Sequence, residues 1–284
     1  MVNPAQLFDS MFDEAELFLS GDPSNRMGES WGDERIWAKP LLGAARGDDP
    51  IFETFRDKVD ERHWLPAEAF EAGGVSASAA ELSVVSWLLP HTDITKKDNS
   101  RQKDLPSERW ARSRIFGETA NMKLRDRMVE YLRQKGYQAV SPMQLAGWKK
   151  LESERYVYAS NWSERHIAHA CGLGTFGLCD GLITPVGKAV RIGSVVLRAP
   201  LDPTPRPYRR YDEYCPFKVK NACGACIKRC PAGALSERGH DKRICSDYLD
   251  DRTAPYVEEH YGFVGYGCGL CQTGVPCASG IPAF

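Results

Sequence analysis

An α+β chain ending in a cysteine-rich module is the architecture this sequence predicts, and three observations carry it. Stretches with apolar residues at helical spacing are mixed with short runs dense in Val, Leu and Trp. Four prolines fall between Pro200 and Pro207, the composition of a stiff link. Eight of the 10 cysteines lie behind that link.

The module is anchored by Cys223-Gly-Ala-Cys226-Ile-Lys-Arg-Cys230-Pro231. C-x2-C-x3-C-P is the inner part of the bacterial ferredoxin run, whose short gaps wrap the backbone round one iron-sulfur cube while the last Cys ligates a second. Two cubes need eight thiolates, and the C-terminal third supplies Cys215, Cys223, Cys226, Cys230, Cys245, Cys268, Cys271 and Cys277. The expected pairing puts Cys215, Cys223, Cys226 and Cys277 on one 4Fe-4S cluster and Cys230, Cys245, Cys268 and Cys271 on the other, each site borrowing a ligand from the opposite motif. A four-Cys zinc site is the alternative, but it uses half the thiolates and gives Cys230-Pro231 no role. Disulfides fit poorly, because a chain of 284 residues buries a core without staples.

Composition narrows the function classes. Charged residues make up 26% and the formal net charge is -1, so there is no global attraction to nucleic acid or an anionic membrane. Residues 1–20 carry acids and no Lys or Arg, unlike a signal peptide, and the longest apolar run, Ser83 to Pro90, is too short to span a bilayer. The expected location is the cytoplasm, where reduced thiols persist.

In chain order, Leu7, Phe8, Met11, Phe12, Ala15, Phe18 and Leu19 predict an amphipathic helix over residues 4–20. The segment to about residue 48, rich in Gly, Pro, Asp and Arg, predicts irregular covering loop. A short helix is expected over Asp49 to Asp60 and a buried strand over Glu81 to Leu89, stopped by Pro90. Ser107 caps a long helix with Phe116, Ala120, Leu124, Met128 and Leu132 on one face, ended by Gly136. Gly117 is a point where it would break, since glycine in a helix costs about 1 kcal/mol against alanine. Further strands are expected at Tyr137 to Val140, Tyr156 to Ala159, Gly181 to Thr184 and Arg191 to Arg198, with a helix over Ser163 to Ala170. The expected units are a helical and irregular extension (1–75), an α+β domain (76–200) and the cluster module (201–284).

Gly172 to Gly177 matches G-x-G-x-x-G, but a helix precedes it, strands follow, and the position 20 residues on is Leu197 rather than an acid. That is the wrong context for a dinucleotide. The turn suits either close backbone approach to something broad or a tight helix-to-strand connection. Cys171 and Cys179 flank it and read as small buried hydrophobes. His166 and His169 lack a third ligand at recognisable spacing, so a packed or solvated helix face is expected. No D-x-H-x-x-G corrinoid signature occurs.

Taken together, Ser163 to Leu197 with Glu164-Arg165 and Gly172, Gly174 and Gly177, the proline-rich link and CGACIKRCPAGAL resemble the epoxyqueuosine reductases and the related reductive dehalogenases. The resemblance covers roughly residues 80–280. It implies a nitroreductase-like domain holding cobalamin in a backbone-lined cleft, followed by a two-cluster ferredoxin-like domain. It places the corrinoid against Gly172, Gly174, Thr175, Gly177, Arg191, Gly193 and Ser194. The position of the family's catalytic aspartate holds Tyr158, which would donate a proton as a dehalogenase tyrosine does, or serve as a strand tyrosine of the core.

Two departures stand out. Lys220 replaces the family's first cluster cysteine, a role passed to Cys215, and Cys271 to Cys277 is two residues longer. Phe284 follows the last ligand with no helical tail, so tRNA is not an expected partner. The expected function is a cytoplasmic, cobalamin-dependent reductase fed by a low-potential donor such as ferredoxin or flavodoxin. The alternative is an electron-transfer protein that reduces cob(II)alamin or a corrinoid protein. Lys218, Lys220, Lys228 and Arg229 form either a docking patch or a solvated face.

Overall fold

The structure, a computed structural model, describes residues 3–153 and 157–284. The first helix, α1 (Pro4–Gly21), begins where Asn3 Oδ1 accepts the Ala5 N–H, and it buries Leu7, Met11, Ala15 and Leu19. After it come β1 (Leu41–Arg46), α2 (Ile51–Lys58), α3 (Pro66–Ala72), β2 (Ser83–Pro90), α4 (Asp93–Ser100) and α5 (Glu108–Gln134). The expectation of irregular loop up to residue 48 is therefore corrected by β1. Its Leu-Leu-Gly-Ala-Ala-Arg is a weak strand sequence that becomes one only by pairing with β2.

The central sheet is four-stranded and antiparallel, in the order β1-β2-β8-β3, with β3 at Ala139–Val140 and β8 at Val190–Leu197. Its strands come from both sides of the boundary expected at residue 75. Every residue of β2 is buried because both faces of the sheet are covered. Val85, Trp87 and Leu89 face α1 and α5, while Val84 and Leu88 face the side of α2, α3 and α6 (Glu164–Ala170). The result is a helix-sheet-helix sandwich of α+β type.

Helix α5 runs unbroken through Gly117. The Trp37 ring lies against this residue and donates its indole N–H to the Gly117 carbonyl at 3.0 Å. A Cβ there would stand 2.4 Å from Trp37 Cζ2. Gly117→Ala is expected to destabilise by about 1–3 kcal/mol despite alanine's better helix propensity, because overpacking outweighs it. A shift of the denaturant midpoint to higher concentration would contradict this.

Four short strands flank the helix α6 along the chain: β4 (Lys150–Ser153) pairs with β5 (Val157–Ser160), and β6 (Thr175–Phe176) with β7 (Leu182–Ile183). The strand expected at Tyr156 to Ala159 is β5, with Tyr156 itself outside the described residues. His63, fully buried, holds the entry to α6 by accepting the Ser163 N–H on Nε2 at 3.2 Å, with Nδ1 2.9 Å from the Trp64 carbonyl. Both contacts suit the neutral ring, and burial lowers its pKa to about 4. The unfolded chain takes up a proton that the folded chain refuses between pH 6.5 and 4, so stability falls as pH falls through that window. The loss is on the order of 3 kcal/mol. In His63→Gln, unfolding midpoints measured across the window should lose most of that slope.

The Pro200–Pro207 segment does not hang free between units. Leu201 is buried, the Thr204 N–H donates to the Ala44 carbonyl at 2.9 Å, and the Thr204 hydroxyl accepts the Ala44 N–H at 2.9 Å. It docks along the open edge of β1, which explains how proline is accommodated there. Among the described residues no helix is long and apolar enough to cross a membrane.

Candidate metal centre

The last third of the chain is built of short helices and turns, including α7 (Pro216–Lys220), α8 (Ala225–Lys228), α9 (Lys242–Tyr248) and α10 (Ala254–Tyr261). Little apolar surface is available here; Cys215, Cys226 and Cys277 are themselves members of the local core, with Leu178, Cys179, Ile183, Leu235 and Val275. Gly224, at φ +101°, supplies the left-handed turn between Cys223 and Cys226.

Cys215, Cys223, Cys226 and Cys277, the first expected ligand set, line one cavity together with Gly177 and Lys188. In the second set, Cys268 lies near Cys230 and Cys245. Burial raises the Cys268 pKa to about 11, with the sulfurs of Cys245 and Cys230 adding to the rise. Cys271 interacts chiefly with Cys179 and less with Cys268, and it packs against the core that holds Cys215, Cys226 and Cys277. Among the described residues no three His, Cys, Asp or Glu side chains form a ready-made single-ion site. The donor chemistry, eight thiols in one module with four of them round one cavity, suits iron-sulfur ligation.

Long-range contacts fix these segments to the sandwich. The Lys188 N–H donates to the Cys277 carbonyl at 2.9 Å, and a Cβ on Gly187 would lie 2.2 Å from the Ala278 carbonyl oxygen. Asn99, fully buried at the end of α4, donates to the Cys268 carbonyl at 3.1 Å and to Thr273 Oγ1 at 3.0 Å, while its Oδ1 accepts the Ser107 N–H. Arg229 points inward, giving hydrogen bonds to the carbonyls of Gln102, Asn99, Leu270 and Thr273. It is thus a clamp across the two cysteine motifs and no part of a solvated patch; Lys218, Lys220 and Lys228 remain at the surface. Sequence reasoning missed Asn99 and misplaced Arg229 because their partners lie up to 174 and 130 positions away.

The residues assigned to a corrinoid are engaged with the protein itself. A Cβ on Gly172 would stand 2.8 Å from the Pro205 carbonyl oxygen, one on Gly174 2.2 Å from that of Ile183, and one on Gly193 2.5 Å from the Trp87 ring. Thr175 Oγ1 accepts the Tyr214 N–H at 2.8 Å, and Gly177 donates to the Gly181 carbonyl at 2.8 Å. Ser194 Oγ donates to Glu164 Oε2 at 2.7 Å and accepts the Trp162 indole N–H at 2.9 Å. Arg191 pairs with Glu118. At Gly172, Gly174 and Gly193 the protein itself packs close on the side a Cβ would take, which suits the tight-turn alternative.

Behind them lies a buried ion network. Arg125, 1% exposed, donates to Glu118 Oε1 at 3.2 Å, Glu164 Oε1 at 3.3 Å and the Ile192 carbonyl at 3.1 Å. Burial pushes the Glu164 carboxyl above the usual range, opposed by Arg125 and Ser194. At Glu118 burial also raises, but the attraction of Arg191 and Arg125 prevails and holds it below.

Tyr158, on β5, carries the Lys150 ammonium 3.9 Å from its ring centroid, and its carbonyl accepts from Lys242 Nζ at 3.1 Å. His166 packs between Phe55 and Phe176 with Nδ1 2.8 Å from Ser163 Oγ, and His169 stacks on Tyr208, so neither is turned to a metal. Cys171 is a core residue, as expected. Cys179 is also buried, as expected, but in the cysteine core, where its thiol contacts Cys226 and Cys271.

The fold and site together define a class: an α+β sandwich bearing a cysteine-lined C-terminal module, the fold of epoxyqueuosine reductases and reductive dehalogenases. The epoxyqueuosine reductase of Bacillus subtilis, solved with its catalytic aspartate loop swung out of the active site, aligns at TM-score 0.52 and 18% identity over 99% of this chain and 68% of its own. An epoxyqueuosine reductase solved with a tRNA-Tyr epoxyqueuosine-modified stem loop aligns at 0.52 and 17% identity, with the same coverage. The catabolic reductive dehalogenase NpRdhA aligns at 0.51 and 14% identity over 98% of this chain but only 38% of its own. At these identities the likeness is one of fold. No protein-family model and no curated protein matches the sequence. An epoxyqueuosine reductase of this fold was solved with an RNA stem loop, which weakly conflicts with the expectation against tRNA.

Proposed function

We propose that this chain is an iron-sulfur oxidoreductase that holds two 4Fe-4S clusters, one on Cys215, Cys223, Cys226 and Cys277 and one on Cys230, Cys245, Cys268 and Cys271, and passes low-potential electrons to a reducible acceptor. The observation that carries this reading is the gathering of Cys215, Cys223, Cys226 and Cys277 round one cavity. When bound, the clusters supply one-electron transfer at low potential. The chain's residues hold and bury them: Arg229 and Asn99 tie the two motifs together, and Lys188 faces the first cavity. Lys218, Lys220 and Lys228 offer a basic face to an acidic donor such as ferredoxin or flavodoxin, in a cytoplasmic setting.

The acceptor divides the reading in two. The close protein packing at Gly172, Gly174 and Gly193 favours delivery of electrons to an acceptor bound elsewhere, such as free cob(II)alamin or a corrinoid protein. The reductase fold of the structural neighbours favours a reductase acting on its own small-molecule substrate, with Tyr158 as the proton donor. Anaerobic purification with iron and sulfide analysis, followed by cob(II)alamin titration read by optical and EPR spectra, separates them. About eight irons with cobalamin reduced but not retained is the expected result. A stoichiometric, retained corrinoid would establish the second version, in which Tyr158→Phe abolishes turnover. Absence of iron would overturn both.

A further inference from the structure

Lys188 is 3% exposed, and burying an ammonium group is costly unless it is compensated. Among the described residues no carboxylate pairs with it; Nζ donates to Cys179 Sγ at 3.3 Å. Lys188 lines the cavity of the first cysteine set, and its own N–H is fixed by the Cys277 carbonyl at 2.9 Å. Cys179 in turn is buried and touches Cys226 of the first set and Cys271 of the second. A lone buried cysteine carries no meaning by itself, but this one joins a buried cation to both ligand groups.

We propose that Lys188 and Cys179 form a positioning pair between the two cluster sites, the lysine facing the first cluster with its positive charge and N–H donors, and Cys179 linking it to the second without ligating iron. The inference rests on the two-cluster reading above. A reduced cluster carries one more negative charge than an oxidised one, so a buried cation and N–H donors beside its sulfurs favour reduction. Screening is weak in a water-poor interior, so a single charge there is felt strongly. The pair makes the cluster nearest Lys188 the easier one to reduce.

The test is an EPR-monitored redox titration of the anaerobically purified chain, with iron analysis of every variant. Wild-type protein without iron overturns the two-cluster reading and this inference with it. With about eight irons in the wild type, Lys188→Met should keep them. At a fixed solution potential, the reduced-to-oxidised ratio of one cluster should fall at least tenfold, 59 mV for a one-electron couple. Lys188→Arg should restore most of that. An unchanged potential in Lys188→Met overturns the inference and leaves the two-cluster reading standing. Loss of iron in Lys188→Met that Lys188→Arg also shows would make the lysine a packing residue, which overturns it too. Cys179→Ala should retain all the iron and alter the EPR signature of interaction between the clusters; a drop to half the iron would make Cys179 a ligand and overturn its assigned role.

Discussion

Replacing Cys226 by serine is expected to lower the iron content from about eight to about four atoms per chain, and replacing Cys268 should do the same from the other set. The two replacements together should leave almost none. Cys226 lines the first cavity and Cys268 gathers with Cys230 and Cys245, so each variant removes one thiolate from one cluster only. Cys171→Ala is the control, since that thiol faces the Val84 carbonyl at 3.5 Å inside the sandwich core and should leave the iron unchanged. The module should also lose stability, because Cys215, Cys226 and Cys277 are themselves members of its buried core. Iron and sulfide analysis of anaerobic protein reads the outcome. Full iron in Cys226→Ser would break the ligand assignment, and zinc in place of iron would replace it with the four-Cys alternative.

Replacing Arg125 by methionine is expected to destabilise the chain by about 3–5 kcal/mol, the loss typical when one partner of a buried ion pair is removed. Its guanidinium is shared by Glu118 from its own helix and Glu164 from α6, and it also caps the Ile192 carbonyl of β8. Glu118 keeps Arg191, but Glu164 keeps only the Ser194 hydroxyl. The Glu164 pKa, already raised by burial, should rise further. The folded variant then binds a proton that the unfolded chain releases above pH 4.5, so its stability falls as pH rises through that window. Denaturant unfolding at pH 5 and pH 8 should show the larger deficit at pH 8, and adding Glu164→Gln should recover part of it. Equal deficits at both pH values would mean that Glu164 is not the group left uncompensated.

How much of this was legible in the sequence varies with the range of the interaction. Helix α5 was readable from Ser107 and the apolar positions down one face, because capping and amphipathicity are local. Its continuity was not, since the Trp37 ring that fills the space at Gly117 comes from 80 residues away. Strand β1 was missed because its sequence resists that conformation until β2 offers a ladder. The glycines at 172, 174 and 193 were plain in the sequence, but the neighbours that require them, Pro205, Ile183 and Trp87 on the side where a Cβ would stand, come together only in the fold.

The sequence by itself marked the eight cysteines as candidate ligands, because cluster ligation is encoded in short gaps that the backbone must wrap. Only the tertiary structure decided what surrounds them: Asn99 and Arg229 clamping the two motifs, and Lys188 with Cys179 buried against both. A buried charge declares its purpose only through its partners, and here those partners are brought together by the packing of the module on the sandwich.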